Sequence, residues 1–184
     1  MNTRETVNGG QVDDIIAKTG DGTPTYRPCV EASYRQLQIK TSIYETLPKQ
    51  GSGLRLGIYQ AQAACGKGAT AKNMNRLRRA VTAAKQSEVQ LLSFPELYVP
   101  GYTLSPQAAR QVAEFKDGPS ITEAREIAKA NRMALLVPYA EKAKDTDGTL
   151  KYYDSIAVIN ENGALLESYR KTHLYGQQEL DNWS

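Results

Sequence analysis

Three short segments carry the residue types that chemistry needs. The first is Phe94-Pro95-Glu96-Leu97-Tyr98-Val99-Pro100-Gly101-Tyr102, which sets an acid directly after a strongly apolar run. Loops at strand ends of α/β sheets present functional groups. A carboxylate there is partly withdrawn from water, which raises its proton affinity toward that of a useful general base. On spacing alone Glu96 could equally cap the next turn. The second segment is Tyr169-Arg170-Lys171-Thr172-His173-Leu174. Lys171 could offer a fixed positive charge to an oxyanion, and His173 could orient a neighbour or titrate. Residue types alone fit a solvated basic strand terminus just as well, and His173 adjoins no nucleophile pattern, so it is not read as catalytic. The third, Gly66-Lys67-Gly68-Ala69-Thr70, looks like a phosphate cradle but has neither Walker-loop spacing nor a dinucleotide glycine pattern.

Composition narrows the chemistry further. The 184 residues hold 23 Lys plus Arg against 20 Asp plus Glu, and a net charge of +3 is too small to announce a polyanionic partner. The basic face formed by Lys72, Arg76, Arg78, Arg79 and Lys85 has no interleaved aromatics, so nucleic acid is not expected. Two cysteines and one histidine are too few for a disulfide framework or a Cys/His zinc site, and a serine triad could use only His173. This favours a reduced, cytoplasmic protein with no metal and no cofactor. Residues Met1 to Gly20 are polar and match no secretory pattern, and no run approaches the roughly 20 apolar residues of a membrane span.

The elements that must position these segments follow from patterning. Residues 1–53 are rich in Gly and Thr, with six basic against six acidic residues, and read as a polar, mostly disordered leader with at most a short helix over Glu31 to Lys40. From Leu54 onward strands and helices alternate. Leu54 to Ala63 reads as a buried central strand. Met74, Leu77, Val81 and Ala84 form the apolar stripe of a helix. Val89 to Phe94 is a second strand. Helices are expected from Pro106 and from Pro119-Ser120, the latter with Ile121, Ala124, Ile127 and Ala128 on one face. Met133 to Tyr139 is a third strand, and Tyr152 to Asn160 and Ala164 to Tyr169 form a hairpin through Asn160-Glu161-Asn162-Gly163. Together they predict an α/β sheet covered by helices on one face.

The order and wording of these blocks resemble the nitrilase or carbon-nitrogen hydrolase superfamily. Leu91-Leu92-Ser93-Phe94-Pro95-Glu96 with Gly101-Tyr102, Val137-Pro138-Tyr139-Ala140-Glu141, Tyr153-Asp154-Ser155 and Tyr169-Arg170-Lys171-Thr172-His173-Leu174 carry the likeness, from about Leu54 to the last residue. Gly101-Tyr102 and Lys171 to Gly176 look most like the aliphatic amidase or ω-aminoamide amidase branch, with carbamoyl-amine hydrolases close. The resemblance implies a four-layer αββα sandwich, of which residues 54–184 would be roughly the first half, and a Glu-Lys-Cys catalytic set. Glu96 falls on the general base and Lys171 on the oxyanion-stabilising lysine. Glu179 falls on a second glutamate that positions substrate and lysine, and Glu141 on a further supporting acid. The substrate of the complete enzyme would be a small amide, nitrile or carbamoyl compound. Homo-oligomers are expected, and neither nucleic acid nor membrane.

The sequence departs from the pattern at two points. The family's nucleophilic cysteine belongs to a block past the lysine that these 184 residues do not reach, and neither Cys29 nor Cys65 lies in a matching motif. No nucleophile is therefore expected within this chain. Asp154 stands where the family commonly has Asn, which puts a hydrogen-bond donor in doubt. Two functions follow as expectations: the N-terminal part of an amidase-like hydrolase, inactive alone, or a truncated, non-catalytic binding or oligomerisation partner of a full-length relative.

Overall fold

A computed structural model describes residues 53–184. The leader expected over 1–53, with Cys29 and the helix expected over Glu31 to Lys40, lies outside the described residues save for Gly53.

Five strands form one sheet in sequential order: β1 (Leu56–Ile58), β2 (Leu91–Ser93), β3 (Ala134–Lys144), β4 (Leu150–Ile159) and β5 (Leu165–Arg170). The first three are parallel and the last two antiparallel. Between β1 and β2 runs α1 (Ala69–Gln86); between β2 and β3 run α2 (Pro106–Val112) and α3 (Pro119–Asn131). Parallel crossovers are right-handed, and both step the same way across the sheet, so α1 and α3 are carried to the same face. There the apolar stripes predicted from sequence meet. Leu77, Val81, Ile121, Ala124, Leu135, Val137, Tyr139, Ala157 and Ile159 pack into one fully or nearly fully buried core, each large aliphatic side chain contributing about 1.5–3 kcal/mol.

Three elements differ from expectation. The strand expected over Leu54 to Ala63 is only three residues long and lies at the sheet's edge, not its centre. Among the described residues it has one neighbour, the pairing ends as Tyr59 donates to the Ser93 carbonyl at 2.9 Å, and Leu56 and Ile58 remain exposed. β3 extends beyond Tyr139 because its hairpin partner continues the ladder to Lys144↔Leu150, which draws Glu141 into the strand. A helix, α4 (Gly176–Asn182), closes the described chain. Its sequence Gly-Gln-Gln-Glu-Leu-Asp-Asn has one apolar residue, so no stripe could announce it.

Successive strand residues face opposite ways, and the second face of the sheet differs from the first. At one end it carries a small core of Leu97, Leu104, Ala109, Ala113, Ala140 and Trp183, where α2 and α4 pack. Elsewhere it is open: Leu56, Ile58 and Tyr169 on this face are 52%, 67% and 54% exposed. The architecture is thus α/β and partial, a helix layer on one sheet, and no second sheet is present among the described residues. No helix among them is long and apolar enough to cross a membrane.

Candidate active site

Glu96 is placed by a loop fixed to its surroundings on both sides. Phe94 donates to the Leu136 carbonyl as β2 ends, Tyr98 to Pro95 at 3.1 Å, Val99 to Pro138 at 3.1 Å and Gly101 to Leu97 at 2.9 Å. Leu97, Tyr98 and Val99 are buried, so the loop turns its apolar side chains inward and leaves the Glu96 side chain 42% exposed. The tightness shows in the backbone. Leu97 adopts φ 47°, a left-handed conformation that a branched side chain rarely takes. Gly101 has φ 88° and passes so close to the preceding loop that a Cβ would stand 2.4 Å from the Ala64 carbonyl oxygen. Asn73, buried on α1, ties the two loops together: Ala64 N–H donates to its Oδ1 at 2.7 Å, and its Nδ2 donates to Ala64 O at 2.9 Å and Val99 O at 3.2 Å.

Lys171 follows β5 directly. Pairing of Ser155 with Arg170, continued by a 2.8 Å bond from Lys171 N–H to the Asp154 carbonyl, fixes where its side chain emerges. The ammonium then bridges two of the expected acids, donating to Glu96 Oε1 at 2.6 Å and contacting Glu179 at 2.8 Å and 2.9 Å. Glu179 is supplied by α4, whose end is held as Asn182 Nδ2 donates to Leu104 O at 3.0 Å, Ser184 N–H donates to Tyr152 O at 2.7 Å and Trp183 enters the small core. The Glu179 carboxylate also accepts from Tyr175 N–H at 2.7 Å and from the Tyr102 hydroxyl at 3.2 Å. Residues from three separate elements thus meet at one point.

Electrostatics follow from these contacts. Burial by itself would lower the Lys171 pKa, but hydrogen bonds to Glu179 and Glu96 and their charges outweigh it, holding the ammonium well above the ordinary lysine range. Glu179 behaves in the mirrored way: burial would raise it, and the bonds from Lys171 and the Tyr175 amide hold it below the usual carboxylate range. Tyr102 is pushed up by burial and by the negative charges of Glu96 and Glu179.

Glu141 sits elsewhere. With Tyr139 and Ser155 it faces the α1/α3 side of the sheet, opposite Ala140 and Asp154. It accepts from Arg170 Nη2 at 2.6 Å, Ser155 Oγ at 2.8 Å and Ser168 Oγ at 2.8 Å. Burial would raise its pKa, but the bonds from Arg170, Ser155 and Ser168 outweigh it and hold the carboxyl below its usual range. Arg170 in turn lies 3.9 Å over the Tyr153 ring. Glu141 therefore anchors the strand residue immediately before Lys171 and does not join the Lys171 cluster.

A cavity of about 270 Å³ opens beside Glu96, lined by Ala61, Gln62, Ala63, Cys65, Tyr102 and Thr103 among others. A larger hollow of about 530 Å³ runs along β5 past Glu141 and Arg170, on the far side from the Lys171 ammonium. The smaller one is the better candidate because its wall includes the half-exposed carboxylate. It also includes Cys65, but no free cysteine occurs among the described residues, so the expectation of a reduced thiol there is corrected. His173 is exposed, its Nδ1 paired with the Thr172 hydroxyl at 3.0 Å. Gly66 and Gly68 serve the turn into α1, where Ala69 N–H bonds Gly66 O at 3.1 Å. No group of three or more His, Cys, Asp or Glu side chains among the described residues is arranged to hold a metal ion.

A base and a fixed ammonium 2.6 Å apart can remove a proton and then stabilise an oxyanion, the two demands of acyl transfer from an amide. Residues 55–183 match the family profile described as carbon-nitrogen hydrolase. The hydrolase in pqqF 5'region of Pseudomonas protegens is 36% identical over 112 residues, covering 61% of this chain and 36% of that protein. The N-carbamoylputrescine amidase of Oryza sativa subsp. japonica is 24% identical over 127 residues, covering 67% of this chain and 40% of that protein. Among solved structures, an amidase from Nesterenkonia sp. superposes with a TM-score of 0.60 at 25% identity, covering 77% of this chain and 51% of that one. The chain thus spans about a third to two-fifths of the length of the curated relatives it matches, and about half of the Nesterenkonia amidase.

Proposed function

The chain belongs to the carbon-nitrogen hydrolase family, and from that premise we propose that it forms part of an amidase-like site that hydrolyses the C–N bond of a small amide. Glu96 takes the proton of a cysteine thiol, and the thiolate attacks the carbonyl carbon while the carbonyl π electrons move onto oxygen, where the Lys171 ammonium offsets the negative charge. The tetrahedral carbon then expels nitrogen, which leaves as ammonia or an amine with the proton Glu96 had taken. Water, deprotonated by Glu96, attacks the resulting thioester and releases the acid, and the proton returns to the thiolate sulfur. Glu179 positions Lys171 and keeps it charged. The attacking cysteine is assigned outside these 184 residues.

What carries this reading is the Lys171 ammonium bridging Glu96 and Glu179. The open apolar face of the sheet supports a larger structure, and we assign its cover to the rest of the αββα sandwich in the complete protein, which we expect to form homo-oligomers. The intact mass of the native gene product, together with ammonia release from short aliphatic amides, tests the proposal. A product that carries a cysteine block past Lys171 and releases ammonia is the expected result. Ammonia release by the 184 residues alone, lost on Glu96→Gln, would contradict the placement of the nucleophile. A native product ending at Ser184 with no turnover would favour a non-catalytic partner instead, a role the exposed Leu56, Ile58 and Tyr169 also suit.

A further inference from the structure

Three carboxyl groups surround one ammonium. Lys171 Nζ lies 2.6 Å from Glu96, 2.8 Å from Glu179 and 3.9 Å from Asp154 Oδ2. If all three were ionised, the cluster would carry a net charge of −2, and like charges about 4 Å apart repel by roughly 4 kcal/mol even at an effective dielectric of about 20. One proton is therefore expected within the cluster, and the surroundings select its place. Asp154 is 4% exposed, so it has the least water of the three together with the weakest contact to the ammonium. Its Oδ2 is buried and no donor reaches it. An ionised oxygen in that position would be a buried acceptor without a partner, a costly arrangement. A protonated one is a donor, and the carboxylates of Glu96 and Glu179 are gathered on the same ammonium where its proton could be received.

We propose that Asp154 is held as the neutral acid and donates its proton in a hydrogen bond to Glu96, acting as a positioning residue that holds the base against Lys171. The geometry makes Asp154 suited to this task. It lies on β4, buried on the face opposite Glu141, and its own carbonyl accepts the Lys171 N–H at 2.8 Å, so one residue addresses both members of the pair. The charged groups facing it come from every neighbouring element: Glu96 from the loop after β2, Lys171 from the end of β5 and Glu179 from α4, while β3 presents uncharged Ala140. Burial, the hydrogen bond to Glu96 and the negative charge of Glu96 push the Asp154 carboxyl up to about 8, with Lys171 pulling the other way and Glu179 adding to the rise.

The catalytic meaning of this contact rests on the amidase reading, whereas the location of the proton does not. Carbon-detected NMR titration of the Asp154 carboxyl in the unaltered 184-residue protein is the direct test. A midpoint near 8 is expected, falling by at least ~1 unit in Glu96→Gln, which removes the negative neighbour. A midpoint in the ordinary aspartate range of about 4, or one unmoved by Glu96→Gln, overturns the proposal. In the catalytically complete protein, Asp154→Ala is expected to lower kcat by ~10–100-fold with KM little changed. Asp154→Asn, which keeps a neutral donor of the same shape, should restore most of that loss and move the alkaline limit upward. Equal losses in the two variants would overturn the positioning role. If the complete protein releases no ammonia at all, the amidase reading fails while the titration still decides where the proton sits.

Discussion

Lys171 Nζ stands 2.6 Å from Glu96 Oε1, although 75 positions separate the two residues in the chain. The contact exists because two unrelated constraints converge: a loop fixed by Asn73 and Gly101 presents the carboxylate, and the register of β4 with β5 presents its counter-charge. Each constraint can be disturbed separately, and the consequences differ.

Removing the ammonium leaves Glu179, at 7% side-chain exposure, a buried carboxylate without its counter-charge. Lys171→Met is expected to destabilise the protein by about 2–3 kcal/mol, less than a fully buried pair would cost because the lysine itself is 28% exposed. Glu96→Gln, at a half-exposed side chain, should stay within about 1 kcal/mol. Urea unfolding of the two variants measures the difference, and equal costs would contradict it.

Gly101→Ala should destabilise by about 1–3 kcal/mol, since φ 88° disfavours a side chain and the new Cβ would meet the Ala64 carbonyl. The same change should displace Glu96 by loosening the 95–101 loop. Thermal melting together with the Lys171 side-chain NMR signal checks both effects.

On the opposite face, Glu141→Gln removes the charge that pairs with Arg170 while keeping the shape. A loss of about 2–3 kcal/mol is expected from the half-broken buried pair, read by urea unfolding at neutral pH. Because Glu141 is held below its usual range, its stabilisation is present above the ordinary glutamate value and lost as pH falls. The variant should therefore lose less stability on acidification than the unaltered protein.

Asp154 acts with the opposite sign. Its folded-state pKa, about 8, lies above the ordinary aspartate value, so the folded chain binds the proton more tightly than the unfolded chain. That contribution is complete below the ordinary value and disappears as pH rises through about 8. Stability of the unaltered protein should decline between about pH 5 and 8, and Asp154→Asn should flatten the decline without altering the acid limb. Urea midpoints across that range decide the matter; an identical slope in the variant would count against it.

Local patterning made much of the fold legible. The stripes of α1 and α3 are where their spacing put them, and the Asn160–Gly163 turn closes as its residues suggest, with Asn160 N–H bonding Ala164 O at 2.9 Å and Gly163 at φ 79°. What escaped depended on partners distant in sequence. β1 reads as a core strand because its residues are apolar, but its place at the edge is a property of strand order. α4 is held by Trp183, Asn182 and Tyr175 contacts and has no periodicity of its own. Glu96 and Lys171 stood out locally as strand-end groups, yet only the family resemblance tied them together. Asn73 gave no signal and Asp154 only a departure from the family's usual Asn, since a buried polar residue is recognised by its partners and those lie 26 residues away for Asn73 to Val99 and across three elements for Asp154.

The central claim is that Glu96 and Lys171 act together on an acyl-transfer reaction. Mass-spectrometric trapping of the thioester formed from a short aliphatic amide by the complete protein tests it most directly. The account predicts a covalent acyl adduct in the unaltered protein and none in Glu96→Gln or Lys171→Ala with the fold retained. An adduct of undiminished yield in either variant would contradict it.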